Sequence, residues 1–318
     1  MKVTMFDKIA HTPSISHEEW LALRKTGIGG SDAGAILGLN KYSTAFSVYL
    51  DKLGLISEKE DSEAMRQGRD LEEYVAQRFA EKEGKVVRRF NYLIRSKQYP
   101  FAIADIDRII VGENAILECK TTSVRNPTNF EGGDIPEYWY CQVQHYLAVT
   151  GCDVCYLAVI VLGQAYYCFR IERNEEEIAA LMEFEREFWE GCVLDQKEPL
   201  PDGSASASEV IGKMYAHSND ETDIVDLTPF SEKCMEYDRL KGEIDALTAK
   251  RDAIKQEIQL YLKAAATGTF DGGKVSWKTQ TRTGIDSKRL KAERPEIYEQ
   301  YATQTVSRPF NVTIFKEE

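Results

Sequence analysis

A helix, three strands, a second helix, two more strands and a closing helix, in that order, predict an α/β (α+β) fold with a central mixed sheet flanked by helices. Three observations carry this. Leu71, Val75 and Phe79 recur at helical spacing within residues 64–84, a helix that Gly84 ends. Five apolar runs of strand length, near 86–95, 101–111, 115–121, 154–161 and 165–172, are punctuated by turn residues. Helical stretches at about 137–150 and 174–191 follow the third and fifth runs.

The remaining elements follow from local chemistry. Ser16 stands three residues before Glu19, a capping box opening a helix over 16–26 that stops near Gly27. GIGGSDAGAILGLNKY is a glycine-rich turn in which Ser31-Asp32 caps a short helix through Ala33, Ile36 and Leu37. Small polar residues at 199–208 (PLPDGSASAS) predict a flexible connection, so the domains read as 1–200, a linker at 201–210, and an extension over 211–318. In that extension Leu240, Ile244, Leu247, Ile254 and Ile258 alternate in fours and threes around Arg251. This heptad-like seam lies in a helix over 230–265, read as the apolar face of a packed helix, with a coiled-coil arm as the alternative. The tail reads as a strand (272–286), a short helix (287–302) and a strand (307–315).

Bulk composition bounds the function. The 318 residues are 43% hydrophobic and 29% charged, ordinary for a globular protein with room for a full core. No stretch approaches the apolar length of a membrane span, and the first residues lack a signal peptide's pattern, so a cytoplasmic location is expected. The seven scattered cysteines fit reduced core thiols. Cys152 and Cys155 form a CxxC, but no second pair or histidine cluster completes a zinc set. The net charge of −12 argues against a general nucleic-acid coat yet leaves room for a nuclease, whose groove can concentrate cations and bound metal.

The segment FAIADIDRIIVGENAILECKTTS is the most informative. Its two apolar runs flank Gly112-Glu113-Asn114 and read as a hairpin. Strand alternation points Glu118 and Lys120 one way and Cys119 the other, and hairpin pairing sets Asp107 beside Glu118. Two carboxylates and an ammonium at one spot suit a hard divalent cation and the water it activates. By itself, an exposed cross-strand ion pair explains Glu118 and Lys120 equally well.

Four stretches in order resemble one family: Arg24 with the GIGGSDAGAILGLNKY turn, Gly68-Arg-Asp-Leu-Glu72, the Asp107–Lys120 block, and Gln142-Val-Gln-His-Tyr146. Over roughly the first 200 residues the chain resembles the phage lambda exonuclease and YqaJ-like viral recombinase family, a branch of the PD-(D/E)xK nucleases with a restriction-endonuclease-like core. The resemblance implies Asp107, Glu118 and the Cys119 carbonyl as metal ligands. It implies Lys120 as the group at the attacking water, and Glu72 as the acid completing a second metal site. Glu73 is equally open on the helix pattern alone. Gln142 and Tyr146 match a pair bordering the site, while Arg24 and Ser31 resemble a pocket for a 5′-terminal phosphate. Gln144 is a weaker candidate, and His145 reads as structural.

The chain departs from the pattern in two ways. Ile106 replaces the motif's proline, and Asp105, two residues before Asp107, is a rival ligand. The extension beyond about residue 205 is absent from the shorter lambda-type enzymes, though longer YqaJ-like members are similar to it through GKVSWKTQTR, PEIYEQY and SRPF.

What the resemblance implies is a 5′–3′ exodeoxyribonuclease using two Mg²⁺ ions, with Mn²⁺ able to substitute. It would act on double-stranded DNA ends as a homotrimeric ring, beside a single-strand annealing protein, in phage or prophage recombination in a bacterial cell. The rival readings are an inactive DNA-end or protein-binding module of the same fold, and a coiled-coil scaffold organised by residues 230–265.

Overall fold

A strand without sequence alternation, β1 (Phe6–His11), opens the described chain. The computed structural model describes residues 5–56, 62–219, 224–304 and 306–315. Two helices follow as expected, α1 (His17–Arg24), opened by the Ser16–Glu19 capping box, and α2 (Gly30–Ile36). A third, α3 (Ala45–Lys52), has no counterpart in the sequence reading. It buries Phe46, Val48, Tyr49 and Leu50, and such near-continuous burial leaves no helical period to detect. The amphipathic helix α4 (Glu63–Glu83) ends at Gly84 in the left-handed conformation.

The two expected strands at 86–95 and 101–111 are the arms of one bent hairpin. The first divides into β2 (Val87–Arg89) and β3 (Tyr92–Ser96), the second into β4 (Ile103–Asp105) and β5 (Arg108–Ile110). Both arms break at the same level, where Phe90 N–H donates to the Asp107 carbonyl. The outer half, β3–β4, joins β1 in a three-stranded sheet ordered β1-β3-β4. The inner half begins a five-stranded sheet ordered β2-β5-β6-β7-β8, completed by β6 (Ala115–Thr122), β7 (Val154–Val161) and β8 (Ala165–Glu172). Only β6 and β7 run parallel, joined through helix α5 (Glu137–Thr150), as a parallel pair requires. Helix α6 (Glu175–Phe188) follows β8. The fold is thus mixed α/β, a central mixed sheet flanked by helices.

Alternation along β6 divides the core. Ile116 packs on the side of α2, α3, α5 and α6, with Leu50, Leu147, Leu157 and Met182. Leu117 packs on the other side, against Val75 and Phe79 of α4. Glu118 therefore shares a face with Ile116, toward α5, and Cys119 shares one with Leu117, toward α4.

The chain divides into two units, residues 1–214 and 215–318. The boundary differs from the expected linker at 201–210. Helix α7 (Ala205–Met214) occupies half of it, with Ala207 buried and Val210, Ile211 and Met214 packed on the first unit's core. Those four residues have helical spacing, which outweighs the small polar composition. The second unit holds α8 (Ser231–Leu262), the hairpin of β9 (Thr267–Phe270) with β10 (Gly273–Ser276), α9 (Ser287–Glu293) and α10 (Pro295–Tyr301). Among its described residues none is buried, so the Leu240–Ile258 seam does not pack within the unit as expected. No strand occurs among the described residues 306–315. No helix among the described residues is long and apolar enough to cross a membrane.

Candidate active site

The bend in the hairpin makes the site. Register Arg108↔Leu117 carries Asp107 to the level of Glu118, and leaving the ladder there frees its carboxylate to accept the Cys119 N–H at 2.7 Å. Glu118, 4% exposed, turns toward α5, where its Oε1 accepts from Lys120 Nζ and Gln142 Nε2, both at 2.8 Å. Gln142 Oε1 in turn accepts from Lys120 Nζ at 2.9 Å, and Gln142 Nε2 also donates to the Tyr146 hydroxyl at 3.1 Å. An ammonium only donates and a carboxylate only accepts, so the partners fix the orientation of the Gln142 amide.

The glycine-rich turn is latched beside these residues. Ile28 N–H donates to the Phe101 carbonyl at 2.7 Å, and Ile103 N–H to the Ile28 carbonyl at 2.8 Å, tying the turn to the entry of β4. Gly30 packs so closely that a Cβ there would lie 2.5 Å from Tyr146 Cε1. Arg24 Nη2 then donates to Ser31 Oγ at 3.0 Å, with its guanidinium over the Trp20 ring. Trp20 Nε1 donates to Asp105 Oδ2 at 3.0 Å. The result is a cleft of roughly 200 Å³ whose lining includes Arg24, Ser31, Asp105, Asp107, Glu118, Gln142 and Tyr146.

Two sequence candidates lie elsewhere. Glu72 does not line the cleft; it pairs with Arg108, whose buried guanidinium also holds Glu73. Gln144, two residues from Gln142 on α5, points to the far side, bonding the Tyr140 hydroxyl, the Glu172 carbonyl and the Asn174 N–H. A two-residue step turns a helix through more than half a circle, so the cleft and Gln144 cannot share a face. His145 is wholly buried between Glu185 and the Ile103 carbonyl, as a structural residue should be. The sequence reading in turn lacks Trp20 and Lys52. Lys52, on α3, is fully buried and donates to Asp32 Oδ2 at 2.6 Å and to the Arg24 carbonyl at 3.0 Å.

Residues 19–153, spanning α1 to the edge of β7, match the model of the YqaJ-like viral recombinase domain. The uncharacterized protein YqaJ of Bacillus subtilis (strain 168) is 39% identical over 308 residues, which cover 96% of each chain. This chain belongs to the YqaJ-like family. Among solved structures it is similar to the alkaline exonuclease LHK-Exo of Laribacter hongkongensis (TM-score 0.45, 20% identity, 62% of this chain and 97% of that one). The LHK-Exo complex with dAMP gives TM-score 0.48 at 21% identity, covering 57% of this chain and 94% of that one.

The electrostatics of the YqaJ-like site are those of a place short of positive charge. Burial, then the neighbouring Glu118 and Glu72, push the Asp107 carboxyl well above its ordinary range. Burial likewise raises Glu118, against the opposing pull of Lys120. Burial favours a neutral Lys120, but Glu118 and its hydrogen bond outweigh this and hold the amine protonated more firmly than usual. Glu118 Oε2 is buried with no hydrogen-bond partner. A buried carboxylate oxygen without a donor, beside a second carboxylate, is chemistry that suits a hard cation. Among the described residues no three acidic, histidine or cysteine side chains form a ready cage. Asp107 and Glu118 are hard oxygen donors of the kind Mg²⁺ takes, one or two carboxylates with water and substrate phosphate completing its octahedron.

Proposed function

We propose that this chain is a Mg²⁺-dependent exodeoxyribonuclease that digests one strand of linear duplex DNA from its 5′ end. One observation carries the reading: Asp107 and Glu118, with Lys120 bonded to Glu118, border the same cleft as Arg24 and Ser31. Cleavage chemistry and an anion fork are thus within one substrate's reach. When bound, the metal supplies Lewis acidity and a water acidic enough to attack phosphate at neutral pH, with Mn²⁺ an expected substitute.

The chain's own groups do the rest. Asp107, Glu118 and the Cys119 carbonyl would hold the first ion, and Glu72, once drawn from Arg108, the second. Lys120, kept protonated by Glu118, acts as a fixed positive charge against the charge that develops on the phosphate. Gln142 holds Lys120 and Glu118 in mutual register and presents its amide at the cleft wall. The Arg24 fork and Ser31 hydroxyl receive a terminal phosphate, so the strand is registered by its end and cut one nucleotide inward. By family resemblance the protein works as a homotrimeric ring beside a single-strand annealing protein in phage-type recombination.

The test uses linear duplexes labelled at either end, with and without 5′-phosphate, incubated with Mg²⁺ or EDTA. Release of the 5′ label first, faster from phosphorylated ends and only with metal, is the expected result. Cleavage that persists in EDTA, or begins at the 3′ label, overturns the proposal.

A further inference from the structure

Helix α8 runs 32 residues without a buried side chain. In water most of a helix's stability comes from packing an apolar face, and no described residue of its own unit buries the apolar face of α8. Ile244 is 62% exposed, Leu247 64% and Ile254 59%. Among the described residues Tyr237, at one end, meets the ring of Phe310. The period of the face is 3.5 rather than 3.6: Tyr237, Ile244, Arg251 and Ile258 take one core position of a heptad, and Leu240, Leu247, Ile254 and Tyr261 take the other. That period specifies a partner helix wound along the whole seam rather than a local pocket.

We propose that the partner is α8 of a second copy of this chain, running antiparallel, with the twofold axis between Ile244 and Leu247. Under this operator the seam complements itself. Ile244 meets the second copy's Leu247, Tyr237 its Ile254, Leu240 its Arg251, the aliphatic stem of Lys233 its Ile258, and the exposed Phe230 its Tyr261. Along the flank, Glu243 faces Lys250 on both sides. A parallel pair from the same sequence stacks Arg251 on Arg251 and sets Lys250 against Lys255. The antiparallel pair instead separates the two Arg251 charges by eleven residues of rise, about 16 Å, roughly twice the Debye length at physiological salt. Its unfavourable contact, Glu236 near Glu257, is eased because Glu236 already pairs with Arg239. Polar residues at core positions, here Arg251 and the near-terminal Lys233, are the usual device that selects one register over the rest.

Light scattering on the full chain tests this. The mass should be an even multiple of 36.1 kDa, six chains where two trimeric rings pair through α8. Ile244→Asp with Leu247→Asp, which puts acids at the axis, should halve it, while thermal unfolding of the first unit stays in place. Orientation is read by cross-linking in a Cys234→Ser parent. A mixture of Leu240→Cys and Arg251→Cys chains should oxidise to a dimer, and Leu240→Cys alone should not. A monomeric native chain, an odd multiple, or an acidic variant of unchanged mass overturns the pairing, and that includes the case where the seam is reserved for another protein. Self-cross-linking of Leu240→Cys overturns the antiparallel arrangement.

Discussion

Replacing Lys52 by methionine tests whether the proposed phosphate pocket is held from behind. Lys52 Nζ is fully buried and spans Asp32 Oδ2 at 2.6 Å and the Arg24 carbonyl at 3.0 Å. Methionine keeps the aliphatic length but leaves the Asp32 carboxylate, 12% exposed, without its main counter-ion. Removing one partner of a buried pair typically costs about 3–5 kcal/mol, because the remaining charge stays desolvated. For a unit of this size that is on the order of 10 °C in the melting midpoint. The carboxylate has one nearby alternative, Arg24, whose Nη2 already lies 3.7 Å from Asp32 Oδ1. Recapture draws the guanidinium off Ser31. The variant should therefore lose much of its preference for 5′-phosphorylated ends while keeping its metal-dependent chemistry. Denaturant melts and end-labelled duplex assays read the two effects separately. Adding Asp32→Asn removes the stranded charge and should return part of the stability. If Lys52→Met costs under about 1 kcal/mol, the range of an exposed pair, or the double variant is no more stable than the single one, the buried-pair argument is wrong.

Gly30→Ala places a methyl 2.5 Å from Tyr146 Cε1 and 3.0 Å from Gln142 Cγ. It should cost about 1–3 kcal/mol by overpacking and slow cleavage, and Tyr146→Ala in the same chain should recover stability in a double-mutant cycle. Lys120→Ala should abolish cleavage in a chain that still unfolds cooperatively, at a lowered midpoint because buried Glu118 loses its counter-ion, and turnover close to wild type would remove Lys120 from the chemistry. The pH dependence has a definite sign. The folded Asp107 carboxyl titrates above its unfolded value, so its unfavourable contribution is full at high pH and fades as pH falls through the folded value. In EDTA the protein should therefore gain stability on mild acidification, and Asp107→Asn should be more stable than wild type at neutral pH and lack that gain. Wild-type stability that is flat or falls over the same window contradicts the assigned environment.

Local rules read much of this molecule correctly. The capping box at Ser16, the stripe of α4 and the alternation at Glu118, Cys119 and Lys120 follow from one or two turns of chain, and each lies in the structure as its spacing dictates. What escaped depends on contacts far apart in sequence. The bend between Asp105 and Asp107 divides one apolar run between two sheets, and only the pairing of both arms reveals it. Glu72 faces Arg108 because that guanidinium is buried under α4, across 36 residues of chain. Lys52 resembles a surface lysine after a tyrosine and a leucine until Asp32 is brought to it. Position 201–210 misled because serine and alanine suit linkers and helices equally, and the apolar spacing that decides begins only at Ala207.

The distribution of unsatisfied groups ties the site together. A fold that buries Glu118 with one oxygen bonded twice and the other not at all accepts a local penalty of about 1–3 kcal/mol. It does so at the spot where a second carboxylate, raised by burial and by Glu118 itself, also awaits a positive charge. Elsewhere the chain shows that it can neutralise buried charge when that is all it needs: His145 has Glu185, Asp32 has Lys52, and Arg108 has two glutamates. Beside Asp107 and Glu118, Lys120 bonds Glu118 Oε1 and leaves Oε2 without a partner, so the two buried carboxylates keep room for the proposed dissociable cation. Strength of metal binding and folded stability without metal should thus move in opposite directions when Asp107 or Glu118 is replaced by its amide.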